Sequence, residues 1–106
     1  MGEEPEFLYL TPTGRRSGRP REIEIWFTRC EGRYYLIAEH GERAAWVRNL
    51  SADSVVQVRV GEEGFSGRAR VLDPSEEPEL SAAARMLSET KYGWGDGLVV
   101  EIAPDD

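Results

Sequence analysis

The stretch Arg21-Glu22-Ile23-Glu24-Ile25-Trp26-Phe27-Thr28-Arg29 decides how this chain is read. Ile23, Ile25 and Phe27 alternate with Glu22, Glu24, Trp26 and Thr28, the period-two pattern of a strand with one face buried. Cys30-Glu31-Gly32-Arg33 supplies turn residues directly after it, and Tyr34 to Ala38 resumes an apolar run, so the two segments predict a hairpin. The same period returns at Val56, Val58 and Val60, and Gly61 to Gly64 turns the chain into Phe65 to Leu72 as a second hairpin. Phe7 to Leu10 and Leu98 to Ile102 read as short strands at either end of the chain.

Two segments change period. Trp46, Val47 and Leu50 fall at helical spacing within Arg43 to Leu50. Leu80, Ala83, Ala84 and Leu87 repeat at i, i+3, i+4 and i+7, with Pro78 in a first turn and an end near Lys91. Tyr92 to Gly97 is read as loop. The resulting order is strand, hairpin, helix, hairpin, helix, strand, which predicts a mainly β (α+β) antiparallel sheet or small barrel with two short helices, not a doubly wound parallel sheet. No G-x-G-x-x-G opens a helix and the Walker pattern is absent, which argues against dinucleotide and P-loop chemistry.

At 106 residues the chain is expected to form a single domain over 1–106. A formal net charge of −7 argues against general nucleic-acid binding, which needs an extended basic footprint. No apolar run reaches membrane-span length, and Met1-Gly2-Glu3-Glu4 does not resemble a signal peptide, so a cytoplasmic location is expected. The lone Cys30 has no partner for a disulfide and no neighbours at metal-ligand spacing, so no metal site is predicted.

Against this acidic background, Thr11-Pro12-Thr13-Gly14-Arg15-Arg16-Ser17-Gly18-Arg19-Pro20-Arg21 holds four of the thirteen Lys+Arg residues. Gly14 and Gly18 allow the backbone around Arg15, Arg16 and Ser17 to bend into an anion-binding concavity. Arginine adds planar donors suited to phosphate or carboxylate. Arg15, Arg16 and Arg19 could equally solvate a surface turn. Trp26, on the polar face of its strand, suits the wall of a site for a flat ligand; it could also be covered by the C-terminal helix. His40, the only histidine, could donate a proton, bind phosphate or be structural. Glu22 and Glu24 are read as solvated residues rather than a catalytic pair.

The ordered set Thr13-Gly14-Arg15-Arg16-Ser17-Gly18-Arg19-Pro20-Arg21, Ile23-Glu24-Ile25-Trp26-Phe27 and Trp46-Val47-Arg48-Asn49-Leu50 resembles the deazaflavin-dependent nitroreductase and quinone reductase family. The similarity runs from about Leu10 to Val60, and Val99 to Pro104 fits the family's ending. The resemblance implies a split β-barrel like that of flavin-mononucleotide-binding proteins. It also implies hydride transfer from a deazaflavin (coenzyme F-420) to a quinone or nitroaromatic compound, with no protein nucleophile assigned. Arg15, Arg16, Ser17, Gly18 and Arg21 would then hold the cofactor's phosphate-bearing tail. Ile23, Glu24 and Ile25 would lie along its ring with Trp26 close by, Ala38, Glu39 and His40 would form a second contacting turn, and Ala45 and Trp46 would start the helix that closes the site.

Glu39 and His40 depart from the small hydroxyl and basic residue typical of that turn, and a carboxylate there would repel a phosphate. The tyrosine-rich substrate region of better-known members has its nearest candidates here in Tyr92 and Trp94. FMN as cofactor (an FMN-dependent reductase), or a non-catalytic binding module of the same fold, therefore remain alternatives. Expected partners are a small-molecule cofactor and substrate, and the resemblance implies a possible homodimer.

Overall fold

The computed structural model describes residues 5–105. Its strands are β1 (Phe7–Pro12), β2 (Ile23–Trp26), β3 (Thr28–Cys30), β4 (Arg33–Ala38), β5 (Val55–Val60), β6 (Glu63–Val71) and β7 (Leu98–Pro104). A 3-10 turn at Gly41–Arg43 leads into α1 (Ala45–Ala52), and α2 (Pro78–Tyr92) joins β6 to β7. All seven strands form one sheet in the order β2-β1-β5-β6-β7-β4-β3, antiparallel throughout. The strands at the two ends of this order, β2 and β3, are consecutive in sequence and separated only by Phe27. The chain therefore passes from one sheet edge to the other in a single step, curling the sheet into a nearly closed barrel that is split at Phe27. The expected split β-barrel with two helices is the observed architecture.

One element differs from its reading. The continuous strand expected from Arg21 to Arg29 is two strands, because β2 pairs with β1 whereas β3 pairs with β4. Phe27 and Thr28 are both buried, so the alternation slips phase at the break. Side chains from the end of α2 satisfy the Phe27 peptide there. Its N–H donates to Tyr92 Oη at 3.0 Å, and its carbonyl accepts from Tyr92 Oη at 2.8 Å and from Lys91 Nζ at 3.0 Å. Backbone groups that leave a ladder must find such partners.

The first hairpin closes on Glu31 and Gly32, at φ 52° and 79°, the paired left-handed residues of a type I′ turn. The second turn is tighter than expected, with Val60 opposite Glu63 across only Gly61 and Glu62.

The barrel interior is filled by Leu8, Leu10, Phe27, Tyr34, Leu36, Val56, Val58, Ala69, Val100 and Ile102, with Leu50 of α1 packed among them. A second cluster, Tyr35, Ile37, Leu72, Ala84 and Val99, lies between the outer face of the sheet and α2. β4 contributes Tyr34 and Leu36 to the first and Tyr35 and Ile37 to the second. Burial on both faces is why this strand reads as an unbroken apolar run.

Within that sheet Glu101 of β7 has a buried carboxylate, with its side chain 3% exposed. It accepts from Arg33 Nη1 and Arg70 Nε, both at 2.9 Å, and from Tyr35 Oη at 3.0 Å. Arg70 also grips Glu77, just before α2, at 2.6 and 3.0 Å. Burial pushes the Glu101 carboxyl up, but its bonds to Arg70, Tyr35 and Arg33 outweigh this and hold it below its ordinary range. The Tyr35 hydroxyl is pushed up to about 12 by burial and by the carboxylate it donates to.

A carboxyl lowered by folding stabilises the fold above its unfolded value, about pH 4.3, and that contribution is lost as pH falls through the folded value. Glu101→Ala should cost about 3 kcal/mol in urea unfolding at pH 7, the lower end for breaking a buried ion pair because both arginines reach water. The deficit relative to the unmodified chain should shrink below about pH 4.

Candidate active site

The basic segment is an extension of the β1–β2 hairpin. Thr13 bridges Pro20, Arg21 N–H donates to Pro12 O at 3.0 Å, and Gly14 N–H donates to Arg19 O at 2.7 Å. Gly18 N–H donates to Gly14 O at 2.8 Å and Arg19 N–H to Ser17 Oγ at 3.2 Å. Gly14 is required by crowding, since a Cβ there would lie 2.9 Å from Ser17 Oγ and 3.1 Å from Arg19 O. The N–H groups of Gly14, Gly18, Arg19 and Arg21 are thus committed within the loop and are not available to line the expected concavity. The loop's offer to an anion is mainly its guanidinium groups.

Asn49 of α1 pins this loop. Its Oδ1 accepts from Arg15 N–H at 3.1 Å and from Arg15 Nη1 at 2.8 Å. The family resemblance implies no role for Asn49. The available signal was a polar residue between Val47 and Leu50 on the helix face that packs inward, where it is buried.

Two adjoining recesses lie where the barrel is split. The smaller, about 400 Å³, is lined by Arg15, Arg16, Ser17 and Arg21, and closed by Ile23, Ala45, Trp46 and Asn49. No carboxylate lines it. The first turn of α1 borders it with no side-chain cap and no acidic residue, so the helix's N-terminal partial positive charge adds to that of the arginines.

The larger recess, about 600 Å³, is bounded by Glu24, Ile25 and Trp26 of β2 on one side. Across it lie Ala38, Glu39 and His40 at the end of β4, with Trp46 and Trp94 as further walls. Trp46 belongs to both compartments. Gly18, predicted as a site residue, lines neither and sits exposed on the loop. Glu39 lines the aromatic compartment and not the recess of the arginines.

The open edge of β2 faces this larger space. The ladder bond from Arg21 to Pro12, with the two-residue alternation of antiparallel pairing, commits Ile23 and Ile25 to Leu10 and Leu8. It leaves the backbone N–H and C=O of Glu24 and Trp26 unpaired at the edge. The expected ring-side residues are therefore refined: Ile23 and Ile25 direct their backbone groups to β1, whereas Glu24 and Trp26 present theirs to the cleft.

Trp26 is 37% exposed. One face of its indole stacks on Tyr92, with centroids 4.5 Å apart and planes 5° from parallel, and Trp94 meets it edge-on at 6.3 Å. The end of the C-terminal helix covers one face of the indole, which also lines the recess. Tyr92 and Trp94, read as loop residues, prove to be the aromatic support of that wall. Among the described residues no cluster of His, Cys, Asp or Glu could hold a metal ion, and no helix is long and apolar enough to cross a membrane.

A split barrel of this kind is also the fold of an F420-H2-dependent reductase and of a FAD-binding protein of Mesorhizobium loti. The chain belongs to the F420H(2)-dependent quinone reductase family, whose model matches residues 2–95. An F420H(2)-dependent quinone reductase of Mycobacterium tuberculosis is 26% identical over 88 residues, covering 80% of this chain; the chain spans 58% of that relative's length. Among solved structures, an F420-H2-dependent reductase (FDR-A) aligns with a TM-score of 0.66 at 23% identity, covering 92% of this chain and 93% of its own. HutZ, the heme storage protein of Vibrio cholerae, aligns with a TM-score of 0.75 at 17% identity over 95% of this chain and 82% of its own. At those identities the likeness is one of fold.

Replacing Asn49 by Leu removes the acceptor for both Arg15 donors and leaves a partly buried N–H without a partner. This variant should lose about 1–3 kcal/mol of stability in denaturant unfolding.

Proposed function

We propose that this chain is a deazaflavin-dependent reductase that delivers a hydride to a quinone or related planar electrophile. The observation that carries the reading is the pairing of a carboxylate-free arginine recess with an aromatic recess across Trp46. A cofactor with a flat ring and an anionic tail needs these two environments side by side.

The residues present fit such a group. Arg15, Arg16 and Arg21 would hold the tail by charge-assisted hydrogen bonds, aided by the uncapped start of α1. Asn49 fixes the Arg15 guanidinium in advance, which lowers the ordering cost of binding. The unpaired backbone groups of Glu24 and Trp26 would meet the polar edge of the ring, and the indoles of Trp26 and Trp46 would bound its surroundings. The reduced deazaflavin, when bound, supplies the hydride.

Converting a quinone to a hydroquinone takes a proton as well. His40 lines the aromatic compartment, so its imidazole N–H is the group assigned to deliver that proton. Glu24 and Glu39 are the other titratable residues there.

Titrating the purified protein with coenzyme F420, and in parallel with FMN, tests this reading by fluorescence. F420 should bind more tightly, and the double variant Arg15→Ala/Arg16→Ala should weaken it by at least about tenfold, the effect of losing one hydrogen bond to a charged group. Equal affinity in the double variant would remove the tail assignment, and failure of F420 to bind the unmodified chain would remove the cofactor.

A further inference from the structure

The geometry assigns Tyr92 as a positioning residue for the cleft, acting through both the Phe27 peptide and the Trp26 indole. This inference rests on the proposal that the aromatic compartment takes a flat ring. Tyr92 does not itself line that compartment, so its influence must pass through the residues it holds.

The observations converge on one side chain. Tyr92 Oη lies 3.0 Å from Phe27 N, 2.8 Å from Phe27 O and 2.6 Å from Glu6 O. It accepts the first as a hydrogen bond and shares its own hydrogen between the two carbonyls. The hydroxyl thus occupies both backbone polar groups of the one residue at which β2 becomes β3. In the β1–β2 register Phe27 falls opposite Glu6 with its backbone groups on the β1 side, so the hydroxyl bridges the two strands where that ladder ends at Phe7 and Trp26. Meanwhile the phenol ring lies flat on Trp26, 4.5 Å away and 5° from parallel, which fixes the tilt of the indole.

The support beneath Tyr92 is itself well held. Lys91 Nζ donates to Phe27 O and Pro5 O, each at 3.0 Å, and sits 3.9 Å from the Phe27 ring centroid. Ser88 Oγ donates to the Trp94 carbonyl at 2.6 Å, and Gly95 lies so close to α2 that a Cβ would come within 2.5 Å of Arg85 O. The helix end is therefore a fixed platform, and the Tyr92 hydroxyl is the point at which it grips the split.

Amide hydrogen exchange on the ligand-free protein and F420 titration together test the assignment. Tyr92→Phe keeps the stack and removes the hydroxyl, so exchange at Phe27 should accelerate by about tenfold or more while the α2 amides keep their protection. F420 affinity should fall by about threefold to tenfold in the same variant.

Tyr92→Ala and Trp26→Ala should each weaken F420 binding further. The variant carrying both should bind no worse than the weaker single one, because the two side chains act as one unit. A residue with a merely structural role would give additive losses.

Wild-type protection at Phe27 in Tyr92→Phe would overturn the assignment. Accelerated exchange with unchanged affinity, or additive losses in the double variant, would overturn the link to the ligand. An unmodified chain that fails to bind F420 would instead sink the proposed function, while the exchange result would still decide whether Tyr92 holds the split.

Discussion

Phe27 has to serve two sheet edges at once, and the rest of the molecule is organised around that constraint. A sheet that closes completely hides all its backbone polar groups and leaves nothing for a ligand to meet, whereas an open edge invites pairing with another chain. Here the strand that would close the barrel changes partner in mid-course. Closure is covalent through Phe27, yet β2 keeps one edge unpaired for the length of Glu24 to Trp26. The cleft follows from this arrangement, since β4 runs on past the last residue paired with β3 and diverges from β2. The cost at the break is a residue whose N–H and C=O have no ladder partner, met by two side chains from the far end of the chain.

Local chemistry made much of this legible. Both hairpins carry turn residues at the right places, both helices show their apolar spacing, and the loop of four arginines is conspicuous in a chain of net charge −7. The break at Phe27 was not legible, because the alternation from Ile23 to Phe27 continues without fault. Only the burial of Thr28, which depends on β4 and α2, shifts the phase. The place of Tyr92 was hidden for a similar reason: its hydroxyl meets a peptide sixty-five positions away. Glu101 sits in an apolar strand where charge is rare, and nothing local indicates that Arg33 and Arg70 converge on it.

The site was half visible. Its arginines and tryptophans could be picked out by type and order, but their division into two compartments is a tertiary fact. Glu39 illustrates the difference, for along the chain it falls in the turn that the resemblance gives to a cofactor, while in space it lines the aromatic recess and not that of the arginines. The acidic surface and the basic recess also work together. A chain of net charge −7 repels an anion at long range, while the four arginines gathered in one loop offer it a local attraction. Raised salt should blunt this preference without altering the aromatic compartment.

Because Trp46 alone lines both recesses, the two halves of ligand choice are carried by nearly separate sets of residues. Substitutions in the loop from Thr13 to Glu22 can alter the shape or charge of the arginine recess while the aromatic recess stays intact. Changes at Glu39, His40 or Trp94 can alter the aromatic recess while the arginine recess persists. Such a barrel can drift along two nearly independent axes of specificity, and Trp46 is the position at which the axes meet.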